Sequence, residues 1–286
     1  MNDDFVVVIN SHGRPDCSSY RVLRDAGYTG RIVFTIDTED NSYGEYVNKY
    51  GAENVFLFEK SNQTKDFDLG DNFDGPMGVV VFARNESYSV AEKCGAEIFC
   101  AMDDDLAAFS YRYVKDGQLK NSKVKNADKV FSAYAEFLKT TSIDCLGFSN
   151  GSQCMNGAEA FMEKYGTYRG IFNAYILSTK KRFPIDARIC EDCAAVVEQS
   201  SRGKIFLVHP AVMAQFDIWH PGAKKGDGGM QDTYRGTISY IQRYYPIMRR
   251  PGCCKLRFAN GCGFEVSISD RRCYPLILSE SIKKGL

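Results

Sequence analysis

No stretch of this 286-residue chain approaches the roughly 18 consecutive apolar residues that a membrane-crossing helix requires, so the helical membrane classes are excluded. Internal repeats are absent, which sets aside solenoids and propellers, and there is no low-complexity tract. No leader is expected, because Met1-Asn2-Asp3-Asp4 runs straight into an apolar, strand-like segment. Net charge is missing as well: 36 Lys and Arg balance 36 Asp and Glu. That balance is not uniform, since Thr233 to Leu286 holds ten Lys and Arg against three Asp and Glu. An acidic body with a basic tail suits a metal-binding half and a surface for a polyanion, although a solvated basic surface has the same composition.

Eleven cysteines are present, scattered through a long chain and not arranged as a disulfide framework. Free, mostly buried thiols in a reducing cytoplasm are the expectation. Cys190 and Cys193 form a CxxC, and Cys253, Cys254, Cys262 and Cys273 follow, but these spacings match no common zinc framework. A structural zinc is the alternative there. With 44% hydrophobic residues the chain can bury a full core, as one large domain or one domain with an appendage.

Phe5-Val6-Val7-Val8-Ile9 is a continuous β-branched, apolar run, the mark of a strand covered on both faces. It ends at Asn10-Ser11-His12-Gly13-Arg14-Pro15-Asp16, a turn-rich loop, and Cys17 to Ala26 then reads as a helix stopped by Gly27. Further strands are expected at 31–37, 54–58, 79–83, 97–100, 143–149, 170–177 and 204–208, and helices at 42–50, 87–94 and 126–140. Asp116-Gly117 between alternating runs predicts a hairpin. Past Thr233 a helix to Tyr245 and two pairing strands, 255–258 and 264–268, are expected. Strands alternating with helices argue for an α/β fold with βαβ units, right-handed crossovers and a mostly parallel sheet flanked by helices. The expected organisation is a catalytic domain over 1–232 and a smaller appendage over 233–286.

The chemistry concentrates where strands end. Asp103-Asp104-Asp105 follows the apolar Ile98-Phe99-Cys100, and ligands of open α/β sheets bind outside the carboxyl ends of the strands. Carboxylates at i and i+2 make a hard oxygen site for Mg²⁺ or Mn²⁺, whose remaining positions go to water and substrate phosphates. A solvated acidic turn is the bland counterpart. The Ser11–Asp16 loop lacks the glycine pattern of a dinucleotide or P-loop site, so Arg14 and backbone groups are the means by which it would hold a nucleotide. Arg84-Asn85, at the end of the expected strand 79–83, completes the edge. Glu191 and Asp192 precede an apolar helical run. They suit a helix N-terminus, and they also suit a base that takes a proton from an acceptor hydroxyl. His209, after strand 204–208, is a third metal ligand or a satisfied hydrogen-bonding residue. Lys224, Lys225 and Gly228 belong to a glycine-rich loop that would close over a diphosphate, or else to a connector. Among the basic residues of the tail, Arg243, Arg249, Arg250, Lys255 and Arg257 interleave with Tyr244 and Tyr245, a pattern able to track phosphates and stack on a base.

These residues resemble a GT-A-type glycosyltransferase. More narrowly, three stretches are similar to the TET/JBP-associated glycosyltransferases of tailed phages: Ser11-x-Gly13-Arg14-Pro15-Asp16, the acidic Asp103–Asp105 turn, and Gly226-Asp227-Gly228-Gly229-Met230 with Asp232 and Tyr234. The resemblance covers roughly residues 5 to 245. It implies a GT-A-like fold and transfer of a sugar from a nucleotide diphosphate sugar, of the UDP-glucose or UDP-arabinose type, to hydroxymethylated pyrimidines such as 5-hydroxymethylcytosine in phage DNA. Carried onto this chain, Asp103 and Asp105 would hold Mn²⁺ or Mg²⁺, with His209 a possible third ligand. Ser11, Gly13, Arg14, Asp16, Arg84, Asp104, Lys224, Lys225 and Gly228 would contact the donor. Asp192, beside Glu191, would be the base of an inverting reaction. Localisation in the host cytoplasm and no membrane partner follow.

Three other readings compete. One keeps the fold and changes the acceptor to a protein, glycan or small molecule. Another is a nucleotidyltransferase, which the Ser11–Asp16 loop matches poorly for want of a glycine-rich basic turn. The last is a non-catalytic nucleotide- or DNA-binding module, since fold constrains function loosely.

Overall fold

In the computed structural model the residues described are 4–63, 80–151, 157–164, 173–185, 191–217, 254–259 and 263–268. They divide into two compact units. The first comprises residues 1–58, 86–182 and 206–219; the second comprises 59–85, 183–205 and 220–286. The expected boundary at 232/233 lies outside the described residues.

The first unit is built on one nine-stranded sheet. Its strands are β1 (Phe5–Asn10), β2 (Ile32–Asp37), β3 (Val55–Phe58), β4 (Ile98–Asp103), β5 (Leu106–Lys115), β6 (Gln118–Lys123), β7 (Cys145–Ser149), β8 (Ala174–Ser178) and β9 (Phe206–Phe216). They lie in the order β3-β2-β1-β4-β8-β7-β9-β5-β6. The half from β3 to β4 is wholly parallel, and β7 and β9 are also parallel. β8 runs antiparallel to both its neighbours, and the β5–β6 hairpin closes the far edge antiparallel to β9. The α/β class with a GT-A-like, helix-flanked sheet is therefore as expected.

Alternation along the strands explains why helices cover both faces. Val7, Ile9, Phe34, Ile36, Cys100 and Met102 point into one core. That core is filled by helices α1 (Ser18–Asp25), α2 (Tyr43–Tyr50) and α4 (Ala127–Thr140). Phe99 points to the other face and meets Tyr88 edge-on, with ring centroids 5.1 Å apart, on α3 (Val81–Lys93). Asn126 caps α4 by accepting the Lys129 N–H at 3.0 Å, as its position before the amphipathic run requires. The Asp116-Gly117 turn has φ of 53° and 72°, the paired left-handed conformations of a type I′ hairpin. A further helix, α5 (Gly157–Lys164), completes this unit. No described helix is long and apolar enough to cross a membrane.

Two expectations are corrected. The described part of the expected strand 79–83 is not a strand: Val81, Phe82 and Ala83 are the buried first turn of α3. A short, wholly apolar run has no periodicity to separate a buried strand from a buried helix, and here it continues into the expected 87–94 helix. In consequence Arg84-Asn85 lies within a helix and ends no strand. The strand expected to stop at Val208 runs on to Phe216 as β9, so His209-Pro210 is internal. Proline has no N–H for the ladder and is confined to edges or bulges. Accordingly the β7–β9 register jumps from Phe148↔His209 to Ser149↔Met213 at this point.

Described by itself, the second unit contains the start of α3, helix α6 (Glu191–Ser201) and an antiparallel pair, β10 (Cys254–Ala259) with β11 (Gly263–Ile268). The pair is the hairpin expected near the C-terminus. The expected helix 233–245 lies outside the described residues. Cys17, Cys94, Cys100 and Cys145 are free thiols, and burial pushes Cys17 up to about 12.

Phe131 of α4 is fully buried and touches the rings of Phe5, Tyr28, Phe109 and Phe148 at centroid distances of 5.0–5.9 Å. Phe131→Ala is expected to cost about 3–5 kcal/mol, read as a lower urea midpoint at unchanged m-value. A loss below about 1 kcal/mol would show that this cluster is not the centre of the core.

Candidate functional site

Parallel pairing brings three strand ends to one edge of the first unit. Asn10, the last residue of β1, stands in register with Thr35 of β2 on one side and Asp103 of β4 on the other. The loops after β1, β2 and β4 therefore open side by side at the carboxyl edge, where α/β sheets bind ligands. Ser87 of α3 donates to the buried Asn10 Oδ1 at 2.9 Å and fixes that amide.

The acidic turn is tied to the start of α1 by its backbone. The Asp104 carbonyl accepts from the Ser19 N–H at 3.1 Å, the Ser18 hydroxyl at 3.3 Å and the Cys17 thiol at 3.4 Å. Ser19 Oγ donates to the Asp103 carbonyl at 2.6 Å and accepts from the Leu106 N–H at 2.8 Å. Donors of the first turn of α1 are thus spent on the turn that follows β4.

The side chains then diverge. Asp104 is 3% exposed and turns inward, where Ser11 Oγ donates to its Oδ2 and Arg14 Nη2 lies 2.9 Å from its Oδ1. Ser11 Oγ is 2.6 Å from the hydroxyl of Tyr46, which itself accepts the Arg14 N–H at 2.9 Å. With Ser11 donating to the carboxylate, the Tyr46 hydroxyl donates to Ser11, so a chain runs from Arg14 N–H through Tyr46 and Ser11 to Asp104. Asp103 and Asp105 are only half-buried. Asn173 Nδ2 donates to Asp103 Oδ2 at 2.6 Å, and Arg14 Nη1 reaches to 4.0 Å from Asp105 Oδ2. The bond from Asp217 N–H to the Asp105 carbonyl, 3.1 Å, holds the turn from its other end.

The loop after β2 adds two acids that sequence reading passed over. Asp37 ends β2, is 4% exposed, and lies 2.6 Å from His12 Nδ1 through its Oδ2. Asp40 accepts the Gly13 N–H at 2.7 Å and the Ser42 N–H at 2.8 Å. Gly13 has φ of +65°, a conformation that a side chain at this position would strain. The only signal available in sequence was that Asp37 closes a strand next to β1. Asp16, by contrast, faces solvent and pairs with Lys49, which holds its carboxyl below the usual range.

Electrostatics single out Asp104. Burial pushes its carboxyl up to about 6; Arg14 and the Ser11 hydrogen bond pull against that, while Asp105 and Asp103 add to it. Desolvation outweighs the ion pair. His209 is three strands across the sheet from β4, and its ring packs edge-on to Tyr134 at 5.8 Å. Burial lowers its pKa, which favours the neutral imidazole. Among the described residues no three His, Cys, Asp or Glu side chains converge as a metal cluster.

In the second unit Arg84 is 3% exposed and ion-paired to Glu191, so its guanidinium is held inside the protein and not presented at a strand end. Glu191 and Asp192, both half-buried, form the first turn of α6, where acidic groups complement the helix dipole. Asn85 brackets Ile185, donating to its carbonyl at 2.7 Å and accepting its N–H at 3.0 Å. Lys224, Lys225, Gly228, Arg243, Tyr244, Tyr245, Arg249 and Arg250 lie outside the described residues. So do Cys190, Cys253, Cys262 and Cys273. Lys255 and Arg257 fall on β10, in register with Ser267 and Glu265.

A family model described as TET-Associated Glycosyltransferase matches residues 5–217. No curated protein matches the chain. Among solved structures, one titled "Crystal Structure of a Mycobacterial Protein" aligns with 93% of this chain and 83% of that chain, at 8% identity and a TM-score of 0.45.

The raised Asp104 pKa fixes the sign of a pH effect. Between the unfolded value of 3.8 and about 6 the folded state binds the extra proton, so this group's contribution is full below the lower value and is lost as pH rises through the upper. Relative to Asp104→Asn, the metal-free protein should lose on the order of 2–3 kcal/mol of unfolding free energy from pH 4 to pH 7. Parallel stability–pH curves for the two proteins would show that Asp104 is not desolvated as described.

Proposed function

The chain belongs to the TET-associated glycosyltransferase family, and from that premise we propose that it moves a sugar from a nucleotide diphosphate sugar onto a hydroxymethylated pyrimidine, 5-hydroxymethylcytosine foremost, in DNA. The observation that carries the donor half of this reading is the division of labour in the acidic turn. Asp104 is withdrawn into the Ser11–Arg14 network while Asp103 and Asp105 remain half-buried at the strand edge.

Two carboxylates with hard oxygens fit Mn²⁺ or Mg²⁺, which commonly take one or two protein carboxylates and complete their shell with water and substrate phosphates. Asp103 and Asp105 would hold the ion, and Asn173 would orient Asp103. His209, packed on Tyr134, is left out of this set. When bound, such an ion offsets the charge that develops on the leaving diphosphate. Arg14, half-exposed and already directed at Asp104 and Asp105, adds a fixed positive charge beside the same edge. The Ser11–Gly13 backbone, with Asp37 and Asp40 behind it, shapes the part of the edge read as the nucleotide subsite. The donor is read as of the UDP-glucose or UDP-arabinose type. Lys224, Lys225 and Gly228 stay assigned to the diphosphate, and Asp192 to the base of an inverting displacement, with Glu191 engaged by Arg84.

The test is transfer to hydroxymethylcytosine-containing DNA with Mn²⁺ and a panel of nucleotide sugars, read as nucleoside mass after digestion. A gain of one hexose or pentose that drops at least ~10²-fold in Asp105→Ala is expected. Donor hydrolysis without transfer would discard the DNA acceptor and keep the glycosyltransferase, and no reaction with any donor would overturn the donor reading.

Asn173→Ala should raise the Mn²⁺ concentration for half-maximal activity by about 10- to 100-fold, the usual effect of losing a group that orients a metal ligand. An unchanged Mn²⁺ requirement would remove Asp103 from the metal's ligands.

A further inference from the structure

Resting on the DNA-acceptor reading above, we propose that the β5–β6 hairpin is the surface on which an unpaired stretch of the acceptor DNA strand docks. β5 begins at Leu106, immediately after Asp105, so the hairpin is the direct continuation of the acidic turn. It carries a marked excess of one charge: from Leu106 to Asn126 there are five cations, Arg112, Lys115, Lys120, Lys123 and Lys125, and one acid, Asp116. Among the described residues none of these cations has a carboxylate partner. Their field is therefore uncancelled and complements a polyanion.

Register assigns side chains to faces. The pairs Tyr111↔Ser122, Tyr113↔Lys120 and Lys115↔Gln118 lie together on one face of the ribbon. Tyr111 is 37% and Tyr113 41% exposed, and Lys115 and Lys120 are exposed as well. Two tyrosines at i and i+2 stand roughly 7 Å apart along a strand, with a lysine directly across from one and two residues beyond it. Aromatic platforms interleaved with cations are how single strands are held: rings stack on bases and lysines meet phosphates. Ser110 and Arg112 lie on the opposite, buried face, where Arg112 Nη2 donates to the Asn150 carbonyl at 3.3 Å. Its Nε and Nη1 are buried with no acceptor, so the guanidinium adds uncompensated positive charge beneath the hairpin.

A purely protective role explains part of this. β6 is the outermost strand of the sheet, and lysines on an edge strand discourage pairing with another chain. That role accounts for Lys120 and Lys123. It does not account for two exposed tyrosines on β5, which pairs with β9 as far as Tyr111, nor for a buried arginine with no carboxylate partner under them.

The test uses the full chain, a short fluorescein-labelled single strand and its duplex, and fluorescence anisotropy over a range of salt, with circular dichroism to confirm folding. Tyr111→Ala/Tyr113→Ala should weaken single-strand binding roughly 100-fold, about tenfold per ring, while Tyr111→Phe/Tyr113→Phe binds like the wild type. Lys115→Gln/Lys120→Gln should reduce the log–log salt slope by about 1.4, roughly 0.7 per lysine. Wild-type binding that survives all three changes would overturn the hairpin and leave the DNA-acceptor reading standing. Loss in the Phe pair equal to that in the Ala pair would overturn stacking as the mode of contact. Tighter binding to duplex than to single strand would overturn the unpaired strand as the occupant. A wild-type protein that binds neither DNA would bring down the hairpin proposal and the DNA acceptor together.

Discussion

A buried carboxylate, Asp104, is the constraint on which this site depends. Taking an ionised acid out of water is costly unless cations and hydrogen-bond donors replace the lost hydration. The protein supplies Arg14 and Ser11, and both come from the loop after β1. One desolvated group therefore joins two loops that are some 90 residues apart in the chain. Tyr46 extends the union to α2, since its hydroxyl accepts from Arg14 N–H and pairs with Ser11 Oγ. Because low dielectric strengthens each of these bonds, the loop geometry is specified more sharply than exposed pairs would specify it.

The sheet explains why this union falls at the carboxyl edge, where open α/β sheets bind ligands. β1, β2 and β4 are neighbours in parallel, so their carboxyl ends are level and their exit loops adjacent. The antiparallel β8 then places Asn173, just before its first residue, beside Asp103 at the end of β4. A parallel strand in that position would present its opposite end, and the amide would be on the far side of the sheet. The departure from a uniformly parallel sheet thus gives the acidic turn its orienting neighbour.

Much of this was legible in the sequence, for identifiable reasons. The run Phe5–Ile9 reads correctly as a buried strand because turn residues bound it at Asn10–Asp16, and the Asp116-Gly117 pair marks its hairpin turn. The acidic turn at the end of an apolar strand announced itself by position. Residues 79–83 misled because a run with no polar member has no period, and a helix start looks like a strand. His209 misled because the strand was expected to stop at the residue before it, whereas Pro210 makes a bulge and the strand resumes. Which of three adjacent aspartates is buried was not legible at all. That choice is made by Ser11 and Arg14, whose approach is a fact of tertiary packing. Asp37 and Asp40 were passed over for the same reason: an acid at or just beyond a strand end acquires meaning only when the neighbouring strand is known.

The backbone between Asp103 and Leu106 is held from two directions, the start of α1 and the end of β9. Ser19 binds the Asp103 carbonyl and the Leu106 N–H, the Ser19 N–H binds the Asp104 carbonyl, and Asp217 binds the Asp105 carbonyl. A load applied to the β5–β6 hairpin is therefore transmitted into α1 and the end of β9 before it reaches the carboxylates. With so many hydrogen bonds to break, the acidic turn behaves as a fixed reference from which the hairpin projects. Preorganisation of this kind is what a transfer reaction needs, because carboxylates that need not move when the acceptor arrives leave more of the binding energy for aligning the reacting groups.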